Sequence, residues 1–150
     1  MIIIIIVGIR AAIVTIVQVL DSPVAIGVPL LIHDWSDYAW RGLLVDVARH
    51  YQPIELLKRC LNAMELAKFN TLHLHLTDSQ SFPLLLDDVY DDNNLLELSR
   101  LAINGSFSKD KIYSKSDLID LIEYATSKGI TIVPEIDLPA HTLSWNRFIL

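Results

Sequence analysis

Cysteine is nearly missing from this chain. Cys60 is alone in 150 residues, so no internal disulfide can form, and its place between Leu57 and Leu61 assigns it to small, apolar packing. Basic residues are also scarce. Twelve Lys and Arg against eighteen Asp and Glu give a formal charge of −6 and a pI near 5.2. No Lys/Arg cluster occurs, which excludes the basic surface that nucleic-acid phosphates require. No phosphate loop, glycine-rich nucleotide turn or nucleophile elbow is present. The triplet Asn104-Gly105-Ser106 would accept a glycan in a secreted protein, but such triplets arise by chance in many cytosolic chains.

Apolar residues, by contrast, are abundant at 52%, enough to bury the core of one ordinary domain and to exclude a disordered chain. The opening "MIIIIIVGIRAAIVTIVQVL" carries much of this hydropathy. It lacks a basic n-region, and Arg10 near its centre would cost about 2.5 to 3.5 kcal/mol in a membrane, which argues against an anchor or a leader. The isoleucine run predicts a buried strand ended by Gly8, and a helix after it. Pro23, Gly27, Pro29 and "HDWSD" then mark an irregular connection through residue 37.

Regular alternation follows. "RGLLVDVAR" (41–49) predicts a strand. "PIELLKRCLNAMELAKFN" (53–70) predicts a helix with Ile54, Leu57, Leu61, Met64 and Ala67 on one face. "TLHLHLTDSQSF" (71–82) predicts a second strand. After an irregular segment, 114–129 predicts a helix with Leu118, Leu121, Ile122 and Ala125 on one face, a serine N-cap and Gly129 as its stop. "ITIVPEID" (130–137) predicts a third strand. This order implies an α/β fold of parallel strands, with Leu72, Leu74, Leu76, Ile130, Ile132 and Ile136 under the helices. The opposite parity then carries His73, His75, Thr131, Val133, Glu135 and Asp137 inward, with Asp78 and His141 just past the strand ends.

Polar groups at the carboxyl ends of parallel strands mark a site in a (β/α)₈ barrel or an open α/β sheet. Asp78 and Asp137 could orient a substrate or transfer protons, or they could cap helices and pair with an arginine. Glu135 and Asp137 need a counter-charge, for which Arg41 is the candidate. His73, His75 and His141 could instead ligate zinc, although the spacing favours histidines that fill the interior and bond to carboxylates. Trp35, Trp40 and Trp145 could stack on sugar rings or simply pack.

Taken together, "WRGLLVDVARHY", "KFNTLHLHLTDSQSFP" and "YATSKGITIVPEIDLPAHTLSW" resemble, in order and spacing, three consecutive blocks of the family 20 glycoside hydrolases, the β-N-acetylhexosaminidases. "GIRAAIVTIVQVL" resembles the family's lead-in, with Arg10, Thr15 and Gln18 in step, so the likeness runs from about Gly8 to Trp145. It implies a lead-in segment over 1–37 and, over 38–150, roughly the first three strand–helix units of a (β/α)₈ barrel. It also implies a glycosidase that removes terminal N-acetylglucosamine or N-acetylgalactosamine, with no metal or cofactor, no nucleic acid and no membrane. A lysosomal or secreted, extracytoplasmic setting is implied as well, and a homo-oligomer of the full-length parent is compatible with the likeness.

In that family the substrate's acetamido oxygen attacks the anomeric carbon, an aspartate positions the acetamido group, and the adjacent glutamate protonates the leaving oxygen. No Asp-Glu dipeptide exists in these residues, so the resemblance places no catalytic residue in this chain. It assigns Arg41 to the hydroxyls of the terminal sugar, Asp78 to the network beside the site, and His141 with Asp137 to support of the catalytic pair. Three departures stand out: Asp78-Ser79 replaces an acidic pair, Pro139-Ala140-His141 replaces Pro-Gly-His, and Val14 replaces a glutamate. Ala140 would be strained if its turn required a positive φ. Two alternatives remain at this point: a non-catalytic sugar-binding remnant, and a zinc-dependent hydrolase.

Overall fold

The computed structural model describes residues 2–23, 32, 34–86 and 98–146. A helix, α1 (Ile2–Leu20), leads into β1 (Gly42–Asp46), α2 (Ile54–Leu66) and β2 (Thr71–His75). A short α3 (Ser99–Gly105), α4 (Lys115–Ser127), β3 (Thr131–Glu135) and a 3₁₀ turn (Leu143–Trp145) complete the order. The three strands form one parallel sheet in the order β1-β2-β3. In register, Gly42, Thr71 and Thr131 share one end, and Asp46, His75 and Glu135 share the other.

Period-two burial organises the sheet. Leu72, Leu74 and Leu76 are at most 1% exposed, packed in one core with Leu57, Leu61 and Met64 of α2 and with Leu121 and Ala125 of α4. Each such leucine contributes roughly 1.5 to 3 kcal/mol by leaving water. The two helices are also tied by Lys58 to Asp120 at 2.6 Å and by the Tyr124 hydroxyl donating to Asn62 at 2.8 Å. The edge position of β3 limits the pattern, so Ile136 remains exposed although its parity predicts cover, and Ile122 on α4 is exposed as well.

Both helices end in the same way. Past α2 the Phe69 N–H reaches back to the Met64 carbonyl (2.8 Å) and Lys68 takes φ 58°. Past α4 the Ile130 N–H reaches Ala125 (2.9 Å) and Gly129 takes φ 72°. This six-to-one closure needs a left-handed residue, for which glycine is the low-cost choice. Gly129 announces the turn in the sequence, and Lys68 does not. At the other end of α4, Ser114 and Asp117 form a reciprocal capping box, which fixes where that helix starts.

Two expectations are corrected. The isoleucine run is not a strand: Ile2–Leu20 is one continuous helix through Gly8. β-branched residues cost only a few tenths of a kcal/mol each in a helix, and a helix satisfies its own backbone where no described strand offers a ladder. The segment read as irregular up to residue 114 contains α3, which buries Leu101 and Ala102. Among the described residues no helix is long and apolar enough to cross a membrane.

Candidate active site

Parallel strands present their carboxyl ends together, and the three loops that leave those ends are laced to one another. Ser81 donates from its hydroxyl to the Ala48 carbonyl (2.6 Å), Thr77 to the His141 carbonyl (3.1 Å), and Ser144 to the Asp78 carbonyl (2.6 Å). Ser81, Thr77 and Ser144 are all at most 1% exposed, so these bonds are shielded from competing water. The lacing fixes where each functional side chain emerges.

Asp46 closes β1. One of its carboxylate oxygens accepts from the Ala48 and Arg49 amides, and the other accepts from the Arg49 guanidinium at 2.6 Å. The second arm of Arg49 reaches Asp78 Oδ2 at 2.5 Å. Asp78 is almost fully buried, and it also takes the Ser79 amide (2.6 Å) and faces His75 Nε2 (3.1 Å). His141, held at φ 58° after the cis Leu138-Pro139 bond, brings Nδ1 to 2.8 Å from Asp137 and 3.6 Å from Asp78. Glu135 stands between two imidazoles, with His75 Nδ1 at 2.6 Å from one oxygen and His73 Nε2 on the other.

The electrostatics follow from this chain of contacts. Burial pushes the Asp78 carboxyl up, but the His75 ring, the Ser79 amide and the Arg49 guanidinium outweigh it, so Asp78 sits below the usual carboxylate range. Burial pushes His75 down, and Glu135 and Asp78 on either side more than reverse that, leaving its pKa raised. The His75 hydrogen bond leads the causes that lower Glu135. Asp78 is thus ionised at neutral pH, rigid, and already half-neutralised by Arg49. Such a carboxylate is suited to accept hydrogen bonds from hydroxyls or to orient an imidazole.

The structure brings part of the expected set together at this face. Asp78, Asp137 and His141 converge here. Arg41 does not: it precedes β1 at the opposite end of the sheet, where it donates to the carbonyls of Lys68 (2.7 Å), Tyr38 (2.7 Å) and Ala39 (3.3 Å). The side-chain partners of Glu135 and Asp137 are histidines. Arg49 takes the arginine's place at the site, three residues past the last residue of β1, and its offset from Asp46 at a strand's carboxyl end was the legible signal. The left-handed residue of the 138–141 turn is His141, so Ala140 carries no positive-φ strain. His73, turned to Glu135, does not join His75 and His141 as a third ligand. Trp35 and Trp40 are exposed on the segment entering the amino end, and Trp145 is half-buried edge-on to Phe82 at 5.6 Å.

Residues 38–149 match the catalytic domain of glycosyl hydrolase family 20. The human β-hexosaminidase subunit β is 41% identical over 114 residues, covering 76% of this chain and 19% of that protein. The chitooligosaccharidolytic β-N-acetylglucosaminidase of Bombyx mori is 42% identical over 110 residues, 73% of this chain and 17% of that one. Among solved structures, a β-N-acetylhexosaminidase from Streptomyces coelicolor superposes with a TM-score of 0.61 at 35% identity, over 72% of this chain and 21% of its own. An exo-β-N-acetylglucosaminidase from Vibrio harveyi, solved with N-acetylglucosamine, gives a TM-score of 0.65 at 28% identity, over 76% and 19%. The chain thus spans about a fifth of the length of the curated relatives it matches.

Proposed function

The chain belongs to glycosyl hydrolase family 20, and from that premise we propose that it is the sugar-holding portion of a β-N-acetylhexosaminidase barrel. The parent removes terminal N-acetylhexosamine by substrate-assisted, retaining catalysis. The observation that carries this reading is the convergence of Arg49, Asp78, Asp137 and His141 at the carboxyl ends of β1, β2 and β3. Arg49 and Asp78 offer a cation and an ionised acceptor to the ring hydroxyls of a terminal sugar. Asp137 holds His141 by its Nδ1, leaving Nε2 as the ring nitrogen available to a group supplied from beyond β3.

The attacking group in this scheme is the substrate's own acetamido oxygen, so the protein needs an aspartate to orient the acetamide and a glutamic acid to protonate the leaving oxygen. These residues hold no Asp-Glu pair, so the proposal requires the pair to come from outside them. The sugar-holding guanidinium in this proposal is Arg49 rather than Arg41. The substrates are glycans ending in N-acetylglucosamine or N-acetylgalactosamine, met in a lysosomal or extracytoplasmic setting. Exposure of Asn104 within its glycosylation triplet is consistent with that setting.

The absence of an Asp-Glu pair also sustains a second reading, in which the chain binds such sugars without cleaving them. Hydrolysis of p-nitrophenyl N-acetyl-β-glucosaminide by this chain, beside a chain extended through the following barrel strands, separates the two. Cleavage by the extended chain alone supports the proposal. No cleavage by either, with retained N-acetylglucosamine binding, supports the remnant. Cleavage by the 150 residues alone overturns the assignment of the catalytic acid and points to Asp78, Glu135 or Asp137.

A further inference from the structure

A recess of about 340 Å³ opens beside Arg49, lined by Arg49, His50, Tyr51, Phe107 and Lys111. Its walls come from the loop after β1 and the loop between α3 and α4. We infer that this recess is a subsite for an anionic group, a sulfate ester or a carboxylate, carried by the glycan whose terminal sugar is held at Arg49 and Asp78. The inference rests on the sugar-holding reading and deepens it by naming a substrate class. Charge is the first observation that carries it. Three of the five lining side chains are basic, and no carboxylate lines the recess, in a chain of net charge −6. Arg49 is spent on Asp46 and Asp78, so it forms the wall shared with the candidate site. His50 and Lys111 are exposed, and among the described residues neither makes an ion pair. The Lys111 ammonium instead lies 6.0 Å from the centre of the Phe107 ring, and His50 offers a ring N–H in either protonation state.

Shape is the second observation. Small-ligand pockets of roughly 300 to 1,000 Å³ pair aromatic walls with a few polar groups, and this recess has both. Tyr51 and Phe107 present ring faces against which a sugar packs, while His50 and Lys111 present donors to its charged substituent. Both walls are held from behind. Tyr51 stacks on Tyr113 at 4.8 Å, and the Tyr113 hydroxyl donates to the Gln52 carbonyl (2.5 Å) and accepts from the Gln52 amide (3.2 Å). In the facing loop, the Lys111 amide (2.9 Å) and the Ser106 hydroxyl (3.2 Å) both donate to the Ser108 carbonyl. Asp110, next to Lys111, is hydrogen-bonded to Ser108. The two free basic groups therefore stand on fixed loops beside the arginine that meets Asp78, close enough to read a second feature of the same glycan.

The test is calorimetric titration of two probe pairs into the 150-residue chain, and into the chain extended through the following strands. One pair is N-acetylglucosamine and its 6-sulfate. The other is a thio-linked N-acetylhexosaminyl-glucose disaccharide and its counterpart with glucuronate in place of glucose. At least one anionic probe should bind about three- to fivefold more tightly than its neutral partner, the scale of one exposed ion pair, and the pair that gains tells sulfate from carboxylate. Lys111→Glu should abolish or reverse the preference, and His50→Ala or about 0.5 M sodium chloride should reduce it, with affinity for N-acetylglucosamine kept within about twofold. Lys109→Ala, an exposed lysine of the same loop outside the lining, should leave the preference intact. Equal affinity within both pairs, with N-acetylglucosamine still bound, overturns the subsite and leaves the sugar-holding reading standing. A preference that survives Lys111→Glu, or falls as much with Lys109→Ala, overturns the subsite too. Loss of N-acetylglucosamine binding itself overturns the sugar-holding reading and the subsite with it.

Discussion

The two ends of the sheet use the same residue types to opposite effect. At the amino end, cations are consumed one by one. Arg41 donates to backbone carbonyls, Arg10 and Lys128 each take one oxygen of Glu65 at 2.8 Å, and Lys68 pairs with Asp34. These bonds fasten α1, α2 and the chain after α4 around the strand starts, and they leave little capacity for a ligand. At the carboxyl end several partners share few atoms. Asp78 Oδ2 alone faces Arg49, His75 and His141, and Glu135 serves two rings. Paired charges stabilise a fold, whereas a shared, buried acceptor keeps its field available to whatever enters.

Arginine exchange breaks this comparison most directly. In an extended, hydrolysing chain, Arg49→Ala should lower kcat/KM about 100-fold, roughly 2.7 kcal/mol of transition-state stabilisation, and should lower the thermal midpoint as well, because it strips the buried Asp78 of its cation. Arg41→Ala should spare the kinetics. It costs about 2 kcal/mol of stability through its lost charge-assisted bonds, with kcat/KM within about threefold of the parent. Steady-state kinetics beside thermal melts decide between them, and activity lost on Arg41→Ala without loss of stability would reverse the assignment of the two ends.

A pH profile sharpens the contrast next. His75 has a raised folded pKa, so its contribution is complete below its unfolded value of about 6.5 and is lost as pH rises through the folded value. Asp78 and Glu135 have lowered folded pKa values. Their contribution is complete above about pH 4.5 and is lost as pH falls through the folded values. Stability of the extended chain in chelator-containing buffer should therefore be greatest between about pH 4.5 and 6.5, and His75→Gln should flatten its upper limb. An unchanged upper limb would show that His75 is not the group responsible.

The smallest effect belongs to the amino end. Glu65→Gln removes the shared partner of Arg10 and Lys128, at a part-exposed position where ion pairs contribute about 0.2 to 1 kcal/mol. Denaturant midpoints should fall by that little, less so in high salt, with no change in kinetics. A kinetic effect of Glu65→Gln would couple the two ends and dissolve the distinction.

Legibility in the sequence followed how local each cause is. Leu72, Leu74 and Leu76 declare their face by parity, Ser114 and Asp117 declare a helix start, and Gly129 declares its end. Asp78, Asp137 and His141 declare the polar end of the sheet because they fall at corresponding ends of successive strands. Lys68 concealed an identical helix end, because nothing about a lysine signals a left-handed turn. Arg41 drew attention as the arginine next to a strand, yet only strand direction decides which end an arginine reaches. The isoleucine run carried strand propensity that a helix overrode, since propensity is weak wherever no partner strand is present.

The sequence by itself determined the alternation of strands and helices, the buried leucine face, the polar face and the family, because each rests on spacing or on motifs read within a few residues. Only the tertiary structure decided that Arg49 and not Arg41 meets Asp78, that Glu135 is shared by two histidines, and that His141 carries the left-handed turn. Those outcomes depend on where separate loops are laced together in space, and no local pattern encodes the distance between groups some thirty to sixty residues apart.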